Sequence, residues 1–181
     1  MKIPKTNEEI VMQNKKAWNQ YAENGCCYTK PVCREVIEQT KTGTWEIVLT
    51  PVKSVPKEWF PAIQGLKILC LASGGGQQGP VLAAAGAHVT VFDNSPKQLE
   101  QDMFVSKRDS LSIKTVEGDM SDLSCFQNEE FDVVFHPVSN TFVPDVLPVW
   151  KEAYRVLKNN GVMMAGFVNP FVYIFDSQKW T

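Results

Sequence analysis

Charge of one sign is what this chain most plainly lacks. Its 18 Lys and Arg against 20 Asp and Glu leave a net charge of −2. That offers no basic field to a nucleic-acid backbone or an anionic membrane surface. Long apolar runs are missing too, since none approaches the roughly 18 residues of a membrane span. The first residues, Met1 to Glu9, contain no apolar stretch of the kind that makes a secretory leader, so a cytoplasmic protein is expected. Histidine is scarce, with only His88 and His136. The five cysteines, Cys26, Cys27, Cys33, Cys70 and Cys125, are odd in number and show no paired ligand spacing. Reduced thiols and no metal site are the expectation. Internal repeats and low-complexity segments are absent as well. A chain of 181 residues fits one domain with a proper core.

What is there begins at Lys67. Ile68 to Ala72 is a short apolar run suited to a parallel strand covered on both faces. The turn Ser73-Gly74-Gly75-Gly76-Gln77-Gln78-Gly79 follows at once, and glycine lets the backbone turn sharply while a ligand comes close. Pro80 fits a first helical turn, Val81 to Ala85 continue it, and Gly86 suits the stop. Val89 to Phe92 is the next strand and ends in Asp93, where a carboxylate can accept from both hydroxyls of a ribose. This is a nucleoside-binding βαβ unit.

Upstream, Thr6-x-x-Glu9 is a capping box, and Ile10, Ala17, Trp18 and Tyr21 follow at helical spacing up to Gly25. Lys15 and Lys16 on that helix read as a solvated face. A second helix is predicted over Arg34 to Thr40, and a strand or extended arm over Trp45 to Leu49. Pro51, Pro56 and Pro61 stiffen the linker. Downstream, Ser95-Pro96-Lys97-Gln98 starts a helix, Ile113 to Val116 is the third core strand, and Phe131 to Phe135 is the fourth. Asp145 is expected to cap a helix running through Leu157, and Gly161 to Phe167 is the fifth strand. Strands alternating with helices through right-handed crossovers give an open α/β parallel sheet, doubly wound.

Gly74-x-Gly76-x-x-Gly79 with Asp93 satisfies a dinucleotide fingerprint, so a nicotinamide cofactor competes with other nucleosides. Further motifs narrow the choice: Val116-Glu117-Gly118-Asp119-Met120, then His136-Pro137-Val138-Ser139-Asn140, then Arg155-Val156-Leu157-Lys158-Asn159-Asn160-Gly161. At these residues the chain resembles the class I S-adenosylmethionine-dependent methyltransferases, over roughly Leu66 to Pro170. More narrowly, Cys70 to Pro80 looks like a bacterial subgroup of unknown acceptor. The resemblance implies a Rossmann-like sheet ordered 3-2-1-4-5, and transfer of a methyl group from S-adenosylmethionine to a small-molecule acceptor. It implies that Ser73, Gly74, Gly75 and Gly76 face the methionine and ribose side. Asp93 would hold the ribose hydroxyls, Asn94 and Gln98 the adjoining rim, and Asp119 with Met120 the adenine. Two departures stand out, because the family usually has an acid near Cys70 and a glycine at Ala72.

His136 falls at the carboxyl end of the fourth strand, as a general base or as a loop residue that shapes the pocket. Trp18 and Tyr21 read as core or as a cover, and Tyr28 as the better lid residue. Residues 1–60 form a lid and substrate segment in this reading, and 61–181 the cofactor-binding domain. Such enzymes normally continue into a final antiparallel hairpin, for which Phe171 to Thr181 is too short. A cofactor-binding but inactive domain is therefore one alternative. A nicotinamide oxidoreductase is the other and ranks lower, on the reading that the chain holds no Tyr-x-x-x-Lys pair to do that chemistry. An apolar edge at Val162, Met163, Met164, Ala165 and Phe167 predicts a homodimer, with the aromatic tail Phe171, Tyr173, Phe175 and Trp180 at the interface.

Overall fold

The computed structural model describes residues 6–50, 53–169 and 171. Tyr173, Phe175 and Trp180 of the expected interface lie outside them. Helix α1 (Asn7–Glu23) opens on the predicted capping box: Thr6 Oγ1 accepts from the Glu9 N–H at 3.2 Å, and the Glu9 carboxylate accepts from the Thr6 N–H at 3.3 Å. Helix α2 (Arg34–Lys41) follows, then a small antiparallel pair, β1 (Val48–Thr50) with β2 (Lys53–Ser54). The main layer alternates: β3 (Lys67–Leu71), α3 (Gln78–Ala84), β4 (His88–Asp93), α4 (Pro96–Asp109), β5 (Ile113–Glu117), β6 (Phe131–His136), α5 (Leu147–Val156) and β7 (Leu157–Ala165).

The sheet runs β5-β4-β3-β6-β7 with every pair parallel. Counting the core strands alone, that is the expected 3-2-1-4-5. Successive strand residues point to opposite faces, so the two cores alternate along the chain. Ile68, Cys70, Val89, Val91, Val133 and Phe135 pack in one apolar layer, together with Ile37 of α2 and Val105 of α4. Leu69, Leu71, Phe92 and Val134 pack in the other with Phe126, Val149, Ala153 and Val156. Truncating a fully buried leucine such as Leu69 to alanine in such a layer costs about 2–5 kcal/mol.

Three local expectations are corrected. Helix α5 begins at Leu147 rather than next to Asp145, because Asp145 Oδ1 takes the Leu147 N–H in a two-residue turn instead of capping a helical turn directly. The fifth core strand starts at Leu157, not Gly161, and ends at Ala165. Leu157 pairs with Phe131 and Val162 with Val133, so the register shifts between them, with Asn160 left-handed at φ +63°. Lys15 is not merely solvated, since its Nζ pairs with the Glu117 carboxylate at the end of β5.

That pair is one of several ties that lay the N-terminal segment over the carboxyl ends of the strands. Asn14 Nδ2 donates to the Phe142 carbonyl at 2.7 Å, and Asn94 Nδ2 to the Val11 carbonyl at 3.4 Å. Asn19 Oδ1 accepts from Ser95 Oγ at 2.7 Å, and the Val48 N–H donates to Gln78 Oε1 at 2.9 Å. The segment is a roof, and a cavity lies beneath it.

Candidate functional site

The cavity measures about 700 Å³, within the range of small-molecule sites, roughly 300–1,000 Å³. Loops from all five strand ends line it: Asp119 and Met120 after β5, Asp93 and Asn94 at β4, Ser73 and Gly74 after β3, Pro137 to Ser139 after β6, Phe167 to Asn169 after β7. Open parallel sheets bind ligands at this end, where the strand order reverses. Val11, Trp18, Tyr28, Val48 and Leu49 close it from the roof. Trp18 is thus a cavity wall rather than plain core, set edge-on to Phe142 at 5.4 Å, and Tyr21 is largely exposed.

The glycine turn is held from below. Ala72 takes φ +48°, the left-handed region that the family's glycine would enter without strain. Its N–H donates to the Phe92 carbonyl at 2.7 Å and its carbonyl accepts from Ser139 Oγ at 2.6 Å. The Gly74 N–H donates to Asp93 Oδ2 at 2.9 Å, while the Ser95 N–H donates to Oδ1 at 2.9 Å. A Cβ on Gly74 would stand 2.7 Å from the Gln98 Cβ, so only glycine fits between α4 and the cavity. Gly75 and Gly76 do not line the cavity. The Gly75 N–H donates to Asp102 Oδ2 at 2.9 Å, and the Gly76 carbonyl accepts from the Val32 N–H at 2.9 Å. They support the turn from its far side.

Burial raises the Asp93 carboxyl above the usual carboxylate range, against the Gly74, Ser95 and Asn94 N–H bonds that lower it. Burial likewise pushes the Cys70 thiol up, so it carries no charge. Two buried polar atoms beside the cavity, Ser73 Oγ and Gln98 Oε1, have no hydrogen-bond partner. Buried polar groups are seldom left so, and a polar ligand would satisfy them. With a strand-end carboxylate beside them, they suit the hydroxyl and amine donors of a nucleoside amino acid. Asp119 is oriented by Ser121, whose N–H and Oγ donate to its carboxylate at 3.0 and 2.8 Å.

His136 stands on β6 itself and is fully buried, outside the cavity lining. Nδ1 faces the Leu71 carbonyl at 2.9 Å and Nε2 faces Asn140 Oδ1 at 3.1 Å. Asn140 Oδ1 also accepts from Trp150 Nε1 at 3.2 Å, and its Nδ2 donates to the Gly166 carbonyl at 3.2 Å. Both groups facing the imidazole are acceptors, yet burial lowers its pKa more than they raise it. From outside the cavity lining it joins β3, through the Leu71 carbonyl, to Asn140 in the loop after β6. Sequence reasoning passed over two features. Tyr154 and Lys158 have the Tyr-x-x-x-Lys spacing, but Tyr154 is 82% exposed and Lys158 pairs with Asp132 at 2.7 Å, so neither reaches the cavity. Asp102 is the other, an acid on the buried stripe of α4 one turn beyond Gln98.

A methyltransferase-domain family model matches residues 69–165, more than half of the chain. An uncharacterized methyltransferase of Bacillus subtilis, YbaJ, is 62% identical over 169 residues, 93% of this chain and 66% of that protein. A sterol 24-C-methyltransferase of Aspergillus fumigatus is 32% identical over 102 residues, 55% of this chain and 27% of that one. The chain therefore spans about two thirds of the first relative and about a quarter of the second. The structure of Haemonchus contortus phosphoethanolamine N-methyltransferase 1 with phosphoethanolamine and S-adenosylhomocysteine superposes with a TM-score of 0.64 at 16% identity, covering 88% of this chain and 32% of that one, a likeness of fold. Domain match, relatives and fold agree, and the chain belongs to the class I S-adenosylmethionine-dependent methyltransferases.

Proposed function

We propose that this chain binds S-adenosylmethionine across the β5–β4–β3 half of the cavity and methylates a small, neutral, largely apolar acceptor held in the β6–β7 half. The reading rests on one observation: a single cavity spans all five strand ends, and its two halves differ in chemistry. On the cofactor side, Ser73 and Gly74 meet the methionine and ribose, Asp93 the ribose hydroxyls, Asn94 and Gln98 the rim, Asp119 and Met120 the adenine. Tyr28 is the lid. Gly75 and Gly76 act from behind the turn, and His136 braces the strands. On the acceptor side the described lining includes Val48, Leu49, Val138, Phe142, Val143, Phe167 and Val168, with Thr50, Ser139 and Asn169, and Asn14 and Gln78 beside Phe142 and Val48, as uncharged polar groups.

The cofactor supplies an electrophilic methyl group. The protein's part is to align an attacking lone pair with it and to keep water out. Apolar walls suit that task, and a sterol methyltransferase among the relatives fits an apolar acceptor. Of the expected division at 60/61, the described residues of 1–60 supply the roof and carry acceptor choice, and those of 61–181 hold the cofactor. The setting is cytoplasmic, the acceptor is no nucleic acid, and two copies pair through the outer edge of β7. That edge carries Val162, Met163, Met164 and Ala165 beside Trp59 and Trp150. Light scattering at micromolar concentration checks the pairing, and a clean monomer refutes it.

Calorimetry tests the main reading. S-adenosylmethionine and S-adenosylhomocysteine should bind and NAD should not. Binding of NAD alone would overturn it.

A further inference from the structure

Asp102 is 0% exposed, and no cationic side chain among the described residues pairs with it. A carboxyl so placed normally has a counter-charge, because desolvating it is costly. Its Oδ2 accepts from the Gly75 N–H at 2.9 Å, and its Oδ1 has no hydrogen-bond partner. A Cβ on Gly79 would stand 3.3 Å from that Oδ1, so α3 closes over it. The ionisable groups that act on it or feel it are Asp93 from β4 and Cys70 from β3, neither of them cationic. From the turn it meets the amides of Gly75 and Gly76, and Gln98, one turn earlier, is buried on the same helix. Asp102 holds the turn at Gly75, and the next residue back, Gly74, lines the cavity.

We infer that Asp102 is a positioning residue for the cofactor: from beneath the glycine turn it fixes the Gly75 amide, and a cationic ligand on the turn's other face draws it into the ionised form, so that binding expels its proton to solvent. The inference rests on the proposed binding of S-adenosylmethionine, whose sulfonium and ammonium groups supply the positive charge. Burial pushes the Asp102 carboxyl up to about 7, and the neighbouring Asp93 charge adds to this, while the Gly76 and Gly75 amides pull it down. In the free protein near neutral pH the group is therefore partly protonated and has a proton to give.

The test is calorimetric titration of S-adenosylmethionine at pH 6 to 7, below the range where its α-amino group titrates. In phosphate and in Tris the apparent enthalpies should differ by up to one released proton. Affinity should tighten about fivefold from pH 6 to pH 7, as linkage to a group titrating near 7 requires. Asp102→Asn and Asp102→Ser, checked for folding by thermal melt, should bind with buffer-independent heats and a flat pH profile. Asp93 is also raised and touches the same turn, so the variants carry the assignment. Buffer-independent heat in the wild-type chain, or an unchanged pH slope in either folded variant, would overturn the inference. Absence of any S-adenosylmethionine or S-adenosylhomocysteine binding by the wild-type chain would instead remove the function on which it rests.

Discussion

Asp102→Asn should make the ligand-free protein more stable at pH 8 relative to wild type than at pH 5. In the folded state the carboxyl titrates near 7, against about 4 in the unfolded chain. Below pH 4 both states hold the proton and stability does not depend on it. Between 4 and 7 the unfolded state has lost the proton and the folded state keeps it, so unfolding releases one and stability falls by about 1.4 kcal/mol per unit. Above 7 both are ionised and the slope vanishes. Roughly three units give a total near 4 kcal/mol, of which about 3 kcal/mol falls between pH 5 and 8. Asparagine keeps an acceptor for the Gly75 N–H and cannot ionise. Its extra amide protons, at the place of the unpartnered Oδ1, add a fixed cost of about 1–3 kcal/mol that does not vary with pH. The stability difference, variant minus wild type, should rise by about 3 kcal/mol across the range in urea melts followed by far-UV circular dichroism. Taking the difference removes every other titrating group from the comparison. A difference that stays level, or falls with pH, would show that Asp102 is ionised throughout and that the account of its burial is wrong.

Asp93→Ala should cost about 2 kcal/mol of stability through the orphaned Gly74 and Ser95 amides. It should also weaken S-adenosylmethionine binding more than tenfold, and unchanged affinity in a folded variant would place the ribose elsewhere. Gly74→Val should abolish binding, since its Cβ meets the Gln98 Cβ at 2.7 Å, whereas Gly86→Ala should lower the melting temperature and spare binding. If Gly86→Ala harmed calorimetric affinity more, the turn would not be the ligand's seat. Trp18→Ala should weaken cofactor binding severalfold with little loss of stability, because the ring is a cavity wall. A large drop in the melting temperature would return it to the core.

The sheet order was legible because each strand announces itself twice, as an apolar run and as the polar or glycine-rich turn that follows. Ser73–Gly76, Asp93, Asp119 and His136 each mark a carboxyl end, and those ends had to meet. Orientation was less legible. Gly75 and Gly76 belong to the same glycine run as Gly74, yet at φ +118° and +71° they stand outside the cavity lining. Trp18 at helical spacing looks like core, and only the way α1 lies over α4 and the strand ends turns it inward. His136 sits where a ligand-binding residue would, but the extra ladder pair with Ala165 keeps it inside β6. Asp102 did leave a trace. Gln98, Leu99, Asp102, Val105 and Asp109 are the buried positions of α4, and an acid on such a stripe is a local contradiction that often marks a working site.

The roof has a consequence for how the chain comes into being. Val11, Trp18, Val48 and Leu49 are translated before any of the surfaces they cover. The carbonyl that Asn14 must reach belongs to Phe142, and the side chain that holds Val48 belongs to Gln78. At ~5–20 residues per second, the stretch from Asn14 to Phe142 takes roughly 6–26 s to make, and for that time the helix end of the roof has no partner there. The roof therefore leaves the ribosome ahead of the strand-end loops it is tied to, and can dock only once they have been made.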